Sequence, residues 1–399
     1  MMKTLYLHIG MPKTGTSSIQ KFLLQNPEAL ARQGYCFPKL PHKYPYVYNN
    51  RNAHFMVGKL YNADGTRNKK LENQYLQDGL TNVLLCFEQF DNVILSEENI
   101  WRMSGGSRKK LFPYLHAHAK EYGYQIRLIV YLRRQDTFQI SNWKQNVKHP
   151  KTASTLTFEE RLNQVLTDEP YVLNYGIRLD QMADLFGKEN LIVRRYEPDS
   201  WINGSIIDDF LVCVGLNHTD EFIPLQRDIN PSLYGNTTEI KRIINKDPTF
   251  TLEENAYLGQ FLRDLSAESS KRYPCSMLSP EETRSLLSTF EVENARVARE
   301  YIGDNKPLFS NQINNMQKWQ PDNPYMPEDI IRFFSAVSID LRRTTEQLCK
   351  EKELLRKELS EIRLLAEKQQ QELNTLKKKL KHPFRTLWNR IFHHQNKTN

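Results

Sequence analysis

The sequence predicts a three-layer α/β domain with a mainly parallel central sheet, then helical additions and a C-terminal coiled-coil helix. Three observations predict it. Short apolar runs alternate with helical patterns from Leu5 to Val193, the order that builds a sheet covered by helices. The run Ile126 to Leu132 is almost continuously hydrophobic, as expected of a central parallel strand buried on both faces. From Leu341 onward, apolar residues recur in heptads.

In the first strand Leu5, Leu7 and Ile9 alternate with Tyr6 and His8. Gly10 breaks it, Pro12 bars helix before it, and Gly15 frees the backbone for a tight loop. Thr16, Ser17 and Ser18 supply N-cap chemistry for a helix bearing Ile19, Phe22 and Leu23. Strand, glycine loop and helix N-terminus together form a P-loop-like phosphate cradle, where backbone N–H groups and the helix dipole meet an anion. Lys13 adds a full charge. The spacing departs from GxxxxGK[ST], because Lys13 precedes Gly15 instead of following it.

Gly34 to Pro45 reads as irregular, and Asn49 to His54 leads into a helical pattern through Phe55, Val57 and Leu60. After a turn at Asp64-Gly65, Leu80, Val83, Leu84 and Phe87 mark a helix. A second strand, Val93 to Leu95, ends in Ser96-Glu97-Glu98-Asn99. A polar loop at Gly105-Gly106 and a helix precede the strong strand, which Arg133-Arg134-Gln135-Asp136 terminates. Thr137 to Val147 is helical, Gly187 caps the face of Ile177, Met182 and Phe186, and Leu191 to Val193 is a further strand. Helices are expected over 206–214, 239–245, 255–265 and 281–301.

The net charge of +8 is uneven. Residues 341–399 carry 15 Lys/Arg and 7 Asp/Glu, the whole excess, so the body before them is neutral. A nucleic-acid-binding body is disfavoured, since such domains carry a basic face of their own. The apolar runs fall short of a membrane span, and the strand begins too early for a signal peptide. The five cysteines lack metal-ligand spacing and fit reduced thiols in a cytoplasmic protein.

The run Pro12-Lys13-Thr14-Gly15-Thr16-Ser17 resembles the 5′-phosphosulfate loop of sulfotransferases, which use 3′-phosphoadenosine 5′-phosphosulfate (PAPS). Arg133 and Ser141, in LRRQDTFQIS, resemble the pair that holds the donor's 3′-phosphate at a strand end and on the next helix. Tyr175 to Tyr196 and Asp208-Asp209-Phe210-Leu211 are similar to the family's middle region. The resemblance, closest to bacterial carbohydrate sulfotransferases, implies donor binding by Pro12, Lys13, Thr14, Gly15, Thr16, Ser17, Ser18, Arg133 and Ser141, without a metal. Arg134 reads as a second phosphate ligand or a surface charge. Lys13 would stabilise the transferring group. Glu98, in a Ser-x-Glu that the family shares, or His54 would take the acceptor proton, with Glu97 behind Glu98. The implied reaction sulfates a hydroxyl of a glycan or lipid-linked saccharide at the inner membrane face. A P-loop kinase or NTPase, and a non-enzymatic membrane-associated scaffold, are the rivals.

The expected organisation is a donor-binding domain over 1–310, a linker and helix start over 311–340, a coiled coil over 341–381 and a basic amphipathic tail over 382–399. One heptad series runs Leu341, Leu348, Leu355, Ile362, Gln369 and Leu376; its partner runs Thr345, Lys352, Leu359, Ala366, Leu373 and Leu380. Six heptads give a helix of about 60 Å suited to homo-oligomerisation. After His382-Pro383, the residues Phe384, Leu387, Trp388, Ile391 and Phe392 share one helical face beside basic residues from Lys377 onward. Residues 377–392 therefore suit an anionic membrane surface. Deleting residues 382–399 is expected to abolish co-sedimentation with anionic liposomes while leaving nucleotide binding intact.

Overall fold

The computed structural model describes residues 2–399 apart from 40–41, 45–46, 48–49, 103–109, 170–171, 226–231, 382–383, 385–387 and 389–399. The chain divides into two compact units, Met1–Ile330 and Ile331–Asn399. The first opens with β1 (Thr4–Gly10), α1 (Thr16–Gln25), α2 (Pro27–Arg32), β2 (Tyr35–Cys36), α3 (Lys69–Phe87) and β3 (Asn92–Ser96). It continues through α4 (Leu111–Tyr122), β4 (Gln125–Leu132), α5 (Gln135–Lys148), α6 (Phe158–Asp168), α7 (Tyr175–Phe186) and β5 (Leu191–Arg195). Five strands form one parallel sheet in the order β2-β3-β1-β4-β5.

Strand alternation sorts the core into two layers. Leu5, Leu7 and Ile9 join Val93, Leu95, Leu128 and Val130 on one face, covered by residues of α3, α4, α5 and α7. Tyr6, Ile94, Ile129 and Tyr131 face the other way, under α1, α2 and α8 (Ile206–Cys213). This is the three-layer α/β architecture with a parallel sheet. His8 lies in the second layer, edge-on to Tyr131 and Phe210, with Nδ1 2.9 Å from Ser96 Oγ. Burial pulls its imidazole down to about 3, so it stays neutral. Asp209, fully buried on α8, accepts from Tyr131 Oη at 2.8 Å and from Arg194, tying α8 to β4 and β5.

Beyond α8 the first unit holds α9 (Asn236–Ile244), α10 (Leu252–Arg272), β6 (Cys275–Ser276), α11 (Pro280–Ser288), α12 (Glu291–Val297) and β7 (Gln317–Lys318). The strands β6 and β7 make a small parallel pair. Four details differ from the sequence reading. Residues 54–56 form one 3₁₀ turn instead of a longer helix, because Gly58 closes it with an N–H to the His54 carbonyl at 2.7 Å. The irregular stretch after Gly34 contains the edge strand β2. The expected helix over 281–301 is broken between Ser288 and Glu291, and a π-helical turn, Ala298–Ile302, follows α12. The capping box Thr157–Glu160 opens a helix, α6, that periodicity alone had not marked.

The cysteines are free thiols, and the sulfurs of Cys36 and Cys86 lie 3.6 Å apart. Helix α13 (Met326–Lys381) begins inside the stretch expected as linker and helix start. In the second unit every residue from Leu341 to Lys381 is exposed. The loop at Gly105-Gly106 and most of the amphipathic tail lie outside the described residues; Phe384 and Trp388 are helical and exposed. Among the described residues, no helix is long and apolar enough to cross a membrane.

Phe55, in the turn beside His54, lies flat against Gly79 of α3: a Cβ there would fall 2.3–2.5 Å from the ring. Alanine would gain about 1 kcal/mol of helix propensity but overpack against the buried Phe55 ring. Gly79→Ala is therefore expected to destabilise the protein by about 1–2 kcal/mol, read as a lower urea midpoint at unchanged slope.

Candidate functional site

In an open parallel sheet, a crevice forms where neighbouring strands send their connections to opposite faces. Here β1 leads to α1 on one face, while its neighbours β3 and β4 lead to α4 and α5 on the other. The three stretches singled out in the sequence, Pro12 to Ser18, Glu97-Glu98 and Arg133, leave the carboxyl ends of these three adjacent strands. All converge on one rim.

The loop after β1 is tightly specified. At Gly10, φ is 102°, and a Cβ would lie 3.1 Å from the Glu98 backbone. At Gly15, φ is 73°, and a Cβ would fall 2.5 Å from the Ile206 side chain. Lys13 holds a left-handed φ of 67°, a conformation costly for a side chain with a Cβ. Gly15, not a hydroxyl residue, occupies the N-cap of α1, and no side chain caps the helix. The sequence reading of Thr16, Ser17 and Ser18 as capping residues is corrected: Thr16 already lies within the helix and its hydroxyl donates to the Glu98 carboxylate. Thr14 bonds back to the Met11 carbonyl at 2.5 Å, and Pro12 is buried beside it. Ser17 and Ser18 are exposed in the first turn, where the helix presents its unsatisfied N–H groups.

Arg133 meets this loop directly. Its Nη1 donates to the Lys13 carbonyl at 2.7 Å, its guanidinium lies 5.3 Å from the Tyr196 ring centroid, and the Arg133 carbonyl accepts from Tyr175 Oη at 2.6 Å. Lys13 Nζ donates to Gln145 Oε1 at 3.2 Å, on the helix that carries Ser141. Arg134 takes neither role expected of it. It pairs with Asp136 at 2.8 Å and donates to the carbonyls of Ser310 and Gln312, pinning a distant loop.

Sequence reasoning missed Lys144, Gln145 and Lys148, which lie on the helix that carries Ser141. Ser141, Lys144, Gln145 and Lys148 are spaced at three and four positions, so they share a face of α5. Burial, helped by Arg133, pulls Lys144 down to about 8 against the pull of Cys275. Burial, then Arg263 and Lys13, pulls Lys148 down to about 8. Lys13 itself is lowered by burial and Arg133, with Glu98 opposing. Several cations thus share a partly dry corner, which an anion would stabilise. The helical spacing on α5 was the available signal, but nothing in one dimension said which way that face points.

The two glutamates after β3 diverge. Glu98 is half-buried against Thr16 at the mouth of the loop. Glu97 is fully buried, where Arg51 Nε donates at 3.1 Å, the Asn99 N–H at 2.9 Å, and His54 Nδ1 lies at 2.7 Å. Burial resists its ionisation, yet His54 and Arg51 prevail and hold its carboxyl below the usual range. With Nδ1 facing the Glu97 carboxylate, Nε2 is the His54 nitrogen that would accept a proton. Among the described residues, no group of three His, Cys, Asp or Glu could hold a metal.

No family model matches the chain. An uncharacterized protein of Archaeoglobus fulgidus is 27% identical over 177 residues, 44% of this chain and 46% of that protein, so the chain spans about half the length of the curated relative it matches. Among solved structures, the crystal structure of a sulfotransferase from Alicyclobacillus acidocaldarius is similar at 17% identity and a TM-score of 0.34, covering 57% of this chain and 87% of that one. That overlap is too slight to bear on function.

Because the Glu97 carboxyl is held below its unfolded value of 4.5, its contribution to stability is present above that pH and is lost as pH falls through the lowered value. Glu97→Gln is expected to destabilise the protein by about 3 kcal/mol at neutral pH, leaving Arg51 poorly paired. Denaturant titrations should show this deficit shrinking as the pH is taken below 4.5.

Proposed function

We propose that the chain is a PAPS-dependent sulfotransferase, transferring a sulfuryl group to a hydroxyl of a glycan or lipid-linked saccharide. The observation that carries this reading is the 2.7 Å bond from Arg133 to the Lys13 carbonyl. It sets Lys13 and Arg133, 120 residues apart, against each other at the ends of neighbouring strands, which supports their reading as the phosphosulfate-loop lysine and the 3′-phosphate arginine. A nucleoside phosphorylated at both 3′ and 5′ positions matches that donor set: lysine, guanidinium, hydroxyls and helix-end N–H groups, with a glycine cradle whose space a Cβ would fill.

In this reading the donor supplies a sulfuryl group with a bisphosphate leaving group, and the protein supplies position and charge. Lys13 and the first-turn N–H groups of α1 meet the charge that grows on the 5′ side. Arg133 and Ser141 hold the 3′-phosphate. Lys144 and Lys148 add positive charge along the same face of α5. Glu98, seated on Thr16 and within the field of Lys13, takes the acceptor proton. The bond from His54 to Glu97 supports a second assignment, in which His54 Nε2 is the base. The wrong position of Lys13 for a Walker A loop counts against a kinase or NTPase.

Isothermal titration should show binding of adenosine 3′,5′-bisphosphate without magnesium, with proton uptake near pH 8 as bound phosphate re-protonates Lys144 and Lys148. Arg133→Ala should weaken binding by about 10- to 100-fold. Lys13→Ala should cut turnover by about 100- to 1,000-fold in a labelled-sulfate transfer assay over cell-envelope glycans. Of Glu98→Gln and His54→Gln, the variant lacking the base should lose about 100-fold or more in kcat while still binding nucleotide. Preference for magnesium-ATP would establish the kinase or NTPase instead, and absence of any nucleotide binding the scaffold.

A further inference from the structure

We infer that residues 341–380 of the second unit form a parallel, in-register, two-stranded coiled coil with a second copy of this chain, and that the charges flanking its apolar seam specify this partner. The helix is unbroken through Lys381, and Leu348, Leu355, Leu359, Ile362, Leu373 and Leu376 on it are all 45% exposed or more. A stripe at this spacing is the seam along which one helix packs on another. The neighbouring charges say which helix.

With Leu348, Leu355, Ile362, Gln369 and Leu376 at heptad position d, position a holds Thr345, Lys352, Leu359, Ala366, Leu373 and Leu380. Position g then carries Glu351, Glu358, Leu365 and Glu372, and position e carries Arg356, Arg363, Gln370 and Lys377. In a parallel pair, each g residue faces the e residue five positions later on its partner. The facing residues are Glu351 with Arg356, Glu358 with Arg363, Leu365 with Gln370, and Glu372 with Lys377. Three of the four are opposite charges and none are like charges. Two-fold symmetry doubles every one of these contacts.

An antiparallel pair with full overlap sets g against g and e against e. It would oppose Glu351 to Glu372 and Arg356 to Arg363, like against like. Support of a solitary helix does not account for the pattern either. Neither Glu351 nor Glu358 has a Lys or Arg three or four positions away on its own helix, where side chains meet; Glu351 accepts from the Gln347 amide instead. Lys352, a charged residue in the seam, tolerates a two-stranded coil whose rim is open to water far better than a larger bundle.

The full-length chain tests this by light scattering after size exclusion, where a dimer is expected. One variant replaces Glu351, Glu358 and Glu372 with Arg; a second replaces Arg356, Arg363 and Lys377 with Glu. Each alone should raise the dimer dissociation constant by about 100-fold or more, and mixing the two should restore a one-to-one heterodimer. Strand direction is read separately with Gln369→Cys in a Cys349→Ser background. Residue 369 meets its own copy across the seam only in a parallel, in-register coil, so mild oxidation should give a covalent dimer that Cys349→Ser alone does not. A monomeric wild-type chain, a dimer indifferent to both charge reversals, or failure of residue 369 to cross-link would overturn the inference.

Discussion

A guanidinium donating to a backbone carbonyl, Arg133 to Lys13, joins the two halves of the candidate site. Lys13 sits in a left-handed backbone conformation that its own side chain disfavours, and the loop is held there from outside. Arg133 grips the carbonyl, Ile206 and the Glu98 backbone leave no room at Gly15 and Gly10, and Thr14 closes the turn onto Met11. The sheet makes this possible. Only where β1 lies between β3 and β4, with helices departing to opposite faces, do three connections meet on one rim.

The electrostatics of that rim follow from its packing. Lys13, Arg133, Lys144 and Lys148 are crowded into a partly desolvated corner, and burial lowers each of them. Assembling like charges away from water works against folding, and an anion bound among them would offset that cost. The acids nearby are divided in use. Glu97 is consumed in holding Arg51 and His54, whereas Glu98 stands at the loop mouth against Thr16. Two adjacent identical residues therefore have different chemistry, because the chain leaving β3 turns one side chain inward and the other toward the loop.

Much of this could be read in one dimension where a single element carried the information. The strand periodicity of Leu5, Leu7 and Ile9, the glycines at 10 and 15, and the Gly187 cap are local, and they survive in the structure. Reading failed where two distant segments decide the outcome. Residues 54–60 carry a helical pattern, yet only one turn forms there, with Phe55 packed on Gly79 and His54 bonded to Glu97. Thr16 had the chemistry of a helix cap but was taken by Glu98, 82 residues away. Arg134 looked available for phosphate and is instead spent on Asp136 and the 310–312 loop.

The sequence by itself determined most of the strands and helices, the glycine loop after β1 and the heptad spacing with its flanking charges, because backbone conformation and helical facing depend on near neighbours. Tertiary structure alone decided which cations crowd one rim, which glutamate is buried and which nitrogen of His54 is engaged. Those outcomes depend on distances between residues as far as 43 and 132 positions apart, set by the strand order and by which face of the sheet each helix covers.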